Sequence, residues 1–129
     1  MLKDRKLLSR DTITESLIGQ IVLFKLSLKV TVQGSTIIFD GDRRPCEVVL
    51  QVQGIGNDRI KCGFIAGDKL WGDYYHTSLS EDEINLIFTT FINLSNITGY
   101  QILTQRDLPL LIGYKYKSSL LTELIKQGE

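Results

Sequence analysis

Bulky ring side chains are concentrated in one short stretch of this sequence. The stretch lies in a predicted loop over residues 67–80 and holds four such residues: Trp71, Tyr74, Tyr75 and His76. Large amphipathic side chains of this kind are enriched at the energetic centres of protein-binding surfaces. We therefore predict that residues 71–76, here called the aromatic segment, contact a partner. The alternative is that Trp71 and one tyrosine only cover the end of a sheet.

Arg43 and Arg44 form a second candidate binding element. They lie in a predicted turn over residues 41–45, between two strands. A small-ligand sensor, for example one for nucleotides, would use these arginines together with the aromatic segment. The simpler interpretation is a solvated turn, because runs of charge usually face water.

The sequence offers few groups for catalysis or metal binding. His76 is the only histidine, and its neighbours Thr77 and Ser78 are too close along the chain to complete a triad with it. One histidine and two distant cysteines, Cys46 and Cys62, cannot supply a zinc site. We therefore expect no catalytic residue, no metal and no cofactor, and predict that the protein is not an enzyme. A hydrolase with a carboxylate-based site is the second alternative, which a carboxylate pair with shifted pKa values in an open cleft would favour.

Charge and glycine spacing argue against two classes of binding protein. Fifteen Lys and Arg balance fifteen Asp and Glu, for a net charge of zero, whereas domains that neutralise many phosphates carry a basic excess. Gly54 and Gly56 precede a predicted strand rather than a helix, which is the wrong context for a dinucleotide fingerprint. We expect no nucleic-acid partner.

Length, terminus and hydropathy are those of an ordinary globular protein. The chain has 129 residues, 43% of them apolar and 23% charged. We expect one domain over residues 1–129, with residues 1–8 either packed or a flexible arm. The N-terminus lacks the apolar stretch of a secretory signal, and no run approaches the roughly 18 apolar residues of a membrane span. These features predict a cytoplasmic protein with no membrane partner.

Apolar periodicity predicts three helices and six strands. Residues 20–33 are predicted to form a strand, because apolar and polar residues alternate from Phe24 to Gln33, which is typical of one buried and one solvated face. Ser80 and Glu83 have the spacing of a capping box, which predicts a helix from there to Gly99. The remaining elements follow from similar patterns: a helix over 9–19, strands over 36–40, 46–53, 60–66, 100–104 and 111–116, and a last helix from Ser118 or Ser119 to Gly128.

These elements predict an α+β fold with the order α-β-β-β-β-α-β-β-α. The first four strands have connections too short for a helical crossover, so they form an antiparallel meander that the last two strands could extend. Two or three helices are expected to pack on one face of the sheet. In a hairpin that turns near Gly56, Cys62 lies opposite residue 51, about 16 Å along the ladder from Cys46. We therefore expect no disulfide, and two buried, unreactive thiols.

The order of elements resembles that of small dimeric bacterial secretion chaperones, although those proteins are typically acidic and this chain is neutral. The resemblance implies a dimeric, chaperone-like protein. An apolar cluster around Pro109 predicts either a contact between two copies or a buried central strand; its members are Leu108, Leu110, Leu111 and Ile112. Two-fold homodimers are the commonest oligomers. We therefore predict a homodimeric, non-catalytic protein-binding, adaptor or chaperone-like module that acts through the aromatic segment, with the small-ligand sensor as first alternative.

One local charge imbalance stands out. Residues 71–105 contain no Lys or Arg but four acids, three of them at the start of the second predicted helix: Glu81, Asp82 and Glu83. Such a patch either docks a basic partner or only complements the helix dipole.

Overall fold

The computed structural model describes residues 6–33, 36–69, 80–89 and 92–128, with the backbone alone for 30–33, 36–42, 44 and 69. It contains a six-stranded antiparallel sheet: β1 (Ile21–Gln33), β2 (Thr36–Ile55), β3 (Arg59–Lys69), β4 (Ile92–Asn93), β5 (Ile97–Ile102) and β6 (Tyr116–Lys117). The described part also contains two α-helices, α1 (Glu81–Thr89) and α2 (Ser119–Gln127). Four 3-10 segments complete it: Arg10–Thr12, Glu15–Leu17, Leu94–Asn96 and Gln105–Gly113.

The predicted mixture of helices with an antiparallel sheet is confirmed, but the strand order is more than a meander. The order is β4-β3-β2-β1-β5, with β6 pairing to β3 beyond that path. Only β1, β2 and β3 follow one another as hairpins. β5 joins the free side of β1, while the short β4 and β6 both pair with β3.

β1 confirms the predicted first strand. Phe24, Leu26 and Leu28 are at most 5% exposed, while Lys29 on the opposite face is exposed. Leu23, which precedes the predicted alternation, is also buried, at 1% exposure, because it packs on the other face of the sheet in the cluster that contains Leu121.

β2 replaces two predicted strands and the turn between them. Thr31 pairs with Ile38 and Lys29 pairs with Arg43, so four residues of β2, 39–42, lie opposite the single residue 30 of β1. The predicted turn at 41–45 is therefore wrong: its first half is a wide bulge, and Arg43, Arg44 and Pro45 all pair with β1. Because β1 is continuous across this region, it provides pairing partners on both sides of the bulge.

Of the three predicted helices, the first is replaced by 3-10 segments and the second is shorter than expected. The helix over 9–19 is wrong: two 3-10 segments occupy the region, and Gly19 has a φ of 88°. The second helix ends at Thr89 instead of Gly99, because Ile92 pairs with Ile60 in β4 and the chain then enters β5. The helical spacing of apolar residues continues past Thr89 in the sequence. The β-branched Ile92 and Ile97 nevertheless pack well in strands, and this favours β4 and β5 over a longer helix.

In the C-terminal third of the chain, one strand prediction is wrong and the prediction of the last helix is confirmed. The predicted strand over 111–116 is wrong, because residues Gln105–Gly113 form a 3-10 segment that contains Pro109. The strand predicted at 100–104 exists as β5 but begins earlier, at Ile97. α2 begins after Ser118 and ends at Gly128, as predicted.

Two apolar clusters lie on opposite faces of the sheet. The larger one contains Phe24 of β1 together with Ile87 and Phe88 of α1. The other contains Leu23 of β1 together with Leu121 of α2. Successive residues of one strand point to opposite faces, so α1 and α2 cover different faces. The expectation that the helices pack on one face is therefore wrong.

The cysteines behave as the strand register predicts. Cys62 pairs with Val52, and Cys46 pairs with Leu26, so the two thiols lie at different levels of the sheet and both are free and buried. Burial raises the pKa of each thiol to about 12, and the charge of Glu47 adds to this effect at Cys46. Among the described helices, none is long and apolar enough to cross a membrane.

Candidate functional site

The residues of the aromatic segment lie outside the described part of the chain. This applies to Trp71, Tyr74, Tyr75 and His76, whose role in binding stays a prediction. The elements on either side are described: β3 ends at Lys69, and α1 begins at Glu81 after Ser80. The contacts of β3 and α1 show which part of the fold lies next to the two ends of residues 70–79.

Both flanking elements contact the chain just before and at the start of α2. On β3, Gly67 pairs with Tyr116 of β6, and the Ile65 carbonyl accepts a hydrogen bond from the Ser118 amide at 2.9 Å. On α1, the Glu81 carboxylate accepts hydrogen bonds from the Ser119 amide and hydroxyl, each at 3.2 Å. Residues 70–79 therefore connect two elements that both touch residues 116–119.

Acidic residues at the start of α1 cap the N-termini of both α1 and α2. The Ser80 amide donates to Glu83 Oε1 at 3.0 Å, and the Glu83 amide donates to Ser80 Oγ at 3.1 Å, which confirms the predicted capping box. Hydrogen bonding of the Glu83 carboxylate by the Ser80 backbone, and then by the Ser80 side chain, lowers the pKa of Glu83. Glu81 in turn caps α2, whose own N-cap Ser118 makes no side-chain capping bond. Asp82 is the third acid, and its carboxylate is exposed.

An open groove of about 560 Å³ runs beside α2. Four of its lining residues, 118, 121, 122 and 125, have the i, i+3, i+4, i+7 spacing of one helix face. Its walls combine apolar, hydroxyl and basic side chains: Ile112, Leu121 and Ile125; Ser118, Ser119 and Thr122; Lys117 and Lys126. The groove therefore has an apolar wall in which Ile112 is exposed, Ile125 is half-buried and Leu121 is buried, with a lysine near each end of the helix.

The geometry of the groove depends on the 3-10 segment before it. Leu108 and Leu111 are fully buried, whereas Leu110 and Ile112 are 54% and 56% exposed. The apolar cluster around Pro109 is thus half core and half surface, and not the buried central strand that was one alternative. Lys117 Nζ donates to the Ile112 carbonyl at 2.9 Å, which holds this lysine at the groove wall.

Arg43, one of the two arginines predicted to bind a ligand, pairs with Lys29 of β1 and does not line this groove. Its Nη1 donates to the Ser27 carbonyl at 2.8 Å and to Asn96 Oδ1 at 3.2 Å. Arg10 Nη1 donates to the Ser95 carbonyl at 2.8 Å. Two arginines therefore converge on neighbouring residues of one turn. The structure describes only the backbone of Arg44, which pairs with Leu28.

Two carboxylates approach the phenol of Tyr114. Tyr114 is buried, and its hydroxyl makes no hydrogen bond. Burial first, and then the charges of Glu47 and Asp68, raise the pKa of Tyr114 to about 12. Glu47 and Asp68 are half-buried. Within the described ranges, no three His, Cys, Asp or Glu side chains are grouped as metal ligands.

No protein-family model, no curated protein and no solved structure matches this chain.

Sequence reasoning named Ile112, in the apolar cluster around Pro109, and the last helix, but it missed the groove that they form. The apolar residues of α2 are evident from their spacing, and Lys117 and Lys126 flank them visibly in the sequence. That pattern predicts a helix with basic ends. It does not predict the groove, because the exposed Ile112 comes from a 3-10 segment whose position depends on tertiary packing.

Proposed function

We propose that this protein is a non-catalytic protein-binding module that holds an acidic, amphipathic segment of a partner in the groove beside α2. The observation that carries the proposal is the apolar wall formed by the exposed Ile112 and the half-buried Ile125 over the buried Leu121, with Lys117 and Lys126 beside it. Amphipathic helices commonly bind in such grooves through apolar side chains at helical spacing.

The charges of the groove favour acidic partners over basic ones. Exposed lysines at the rim accelerate encounter with an acidic segment and disfavour a basic one, while the apolar contacts slow dissociation. The predicted role of the aromatic segment is compatible with this site. The described elements on either side of residues 70–79, β3 and α1, both contact residues 116–119, and three of these residues line the groove. An adaptor or chaperone-like role would use both surfaces together.

Site-specific photo-cross-linking in the native host tests this function. A photoreactive phenylalanine analogue at Thr122, which is exposed in the groove, should give a covalent adduct with a polypeptide. The same analogue at Asn57 is the matched control, because Asn57 is exposed in the β2–β3 connection. Adduct at Thr122 but not at Asn57 is the expected result. Equal yields at both positions, or none at Thr122, would contradict the proposal.

A second candidate function is the binding of a small anionic ligand by Arg10 and Arg43. Each arginine donates a hydrogen bond from Nη1 to the turn at residues 95–96, Arg10 to Ser95 and Arg43 to Asn96. Because these bonds fix the guanidinium groups, their remaining N–H donors are held in a defined orientation. Guanidinium groups bind phosphate oxygens well. A nucleotide panel should then contain one compound that raises the melting temperature by several degrees. Arg43→Gln should abolish that shift, and Arg106→Gln, at another exposed arginine, should preserve it. No shift with any compound, or equal loss in both variants, would contradict this function.

A further inference from the structure

We infer that the segment held in the groove is α1 of a second copy of this chain, so that two copies form a reciprocal, two-fold dimer. This inference rests on the proposed function, because it names the partner of the same groove. Its support lies in the outer face of α1, in the rim of the groove, and in the contact that joins the two within one chain.

The outer face of α1 has the composition that the groove requires. Leu86 is 61% exposed, the highest value among the large apolar side chains of the described chain. Asp82 lies four residues earlier and therefore on the same helix face. Glu81 and Glu83 are engaged at the two helix starts, whereas the Asp82 carboxylate has no hydrogen bond or ion pair with any described residue.

The groove presents the complementary pair of groups. Ile112 is 56% exposed at its wall. Lys117 is held by the Ile112 carbonyl, whereas the Lys126 ammonium is exposed and makes no hydrogen bond or ion pair within the described ranges. Seating α1 of a partner would cover Leu86 with the apolar wall and bring Asp82 toward Lys126. Both the exposed apolar surfaces and the two charges without a counter-ion would then be matched.

The two halves of this contact adjoin in one chain. Glu81 of α1 bonds to Ser119 of α2, so the acidic helix and the basic groove meet at the same edge of the fold. A surface that carries both complementary halves can pair with its own copy about a two-fold axis, and such a contact closes at two chains. The net charge of zero leaves no overall repulsion between copies.

Light scattering on the purified full chain is the first test. The wild-type mass should be twice 14.6 kDa at micromolar concentration. Asp82→Lys and Lys126→Glu should each shift the monomer–dimer midpoint to roughly 10-fold higher concentration or more, because each places like charges across the contact. Lys61→Glu is the matched control, since Lys61 is an exposed lysine of β3 that belongs neither to α1 nor to the groove lining, and it should leave the midpoint unchanged.

Complementation then identifies the pairing itself. In a reciprocal contact, mixing the D82K and K126E proteins restores an attractive pair on both sides, and so does combining the two changes in one chain. Both the mixture and the double variant should therefore be dimeric, and circular dichroism should show that every variant is folded. A monomeric wild type, single variants that stay dimeric, or a mixture that stays monomeric would each overturn the inference.

The outcomes separate this inference from the proposed function. A monomeric wild type that cross-links at Thr122 to a different polypeptide overturns the dimer and leaves the groove as a protein-binding surface. A dimer that ignores the charge reversals, with no adduct at Thr122, overturns both.

Discussion

Individual residues are predictable where their partners are close in sequence. The capping box of Ser80 and Glu83 spans three residues and forms as expected. Arg43 is different, because its acceptors, Ser27 and Asn96, lie 16 and 53 residues away. Nothing near Arg43 in the sequence specifies those contacts, and Arg43 lies in β2, paired with Lys29, instead of in the predicted turn.

Two buried thiols and one buried phenol, which lose their protons at alkaline pH, predict that the protein loses stability there. Burial raises the pKa of Cys46, Cys62 and Tyr114 to about 12 in the folded state. Above the pKa of an unfolded thiol, the unfolded chain binds fewer protons, so the free energy of unfolding falls as pH rises toward 12. Each thiol should account for roughly 2 kcal/mol of loss between about pH 8 and about pH 10.5.

Urea unfolding at these two pH values measures the effect. Cys62→Ala removes one of the three groups and should give a shallower pH dependence, although its stability at neutral pH will be lower. An unfolding free energy that does not change between the two pH values would show that the thiols are accessible in the folded protein.

At the scale of elements, local patterns predict what a segment is better than where it ends. β1 and α2 were predicted with nearly correct bounds, because each has a consistent period and clear boundary residues. The merging of two predicted strands into β2 depends on pairing with β1 across the bulge at 39–42. The early end of α1 depends on Ile60, the pairing partner of Ile92. These long-range partners decide the bounds, and no local window contains them.

Two glycines in strands predict opposite responses to the same substitution. A Cβ at Gly99 of β5 would lie 2.9 Å from Leu7 Cδ1 and 3.1 Å from Leu7 Cβ, whereas nothing lies within 4 Å of a Cβ at Gly54 of β2. Gly99→Ala should therefore displace Leu7 and lower the free energy of unfolding by about 1–2 kcal/mol. Gly54→Ala should be neutral or slightly stabilising, because it only restricts the unfolded chain. Urea denaturation checks both, and equal effects would contradict the packing of residue 7 against β5.

For the whole molecule, the two faces of the sheet have different roles. The face under α1 holds the larger apolar cluster, and the face under α2 holds the smaller one. The helices meet at the contact between Glu81 and Ser119, where the groove and the flanks of the aromatic segment also lie. The sequence predicts binding through aromatic residues. It does not predict that β3, α1 and the start of α2 meet at one place, because that contact joins residues 67, 81 and 116–119, which are distant in the sequence.

The most direct test of the groove as a protein-binding surface is the yield of cross-linked adduct at Thr122, measured with and without Ile112→Asp. Ile112 is 56% exposed, so the substitution changes the groove wall and should leave the fold intact. If a partner binds there, the buried carboxylate should reduce the yield roughly 10-fold or more, because an unpaired charge is costly in an apolar contact. An undiminished yield in the folded variant would contradict the account, since the adduct would then form without the groove.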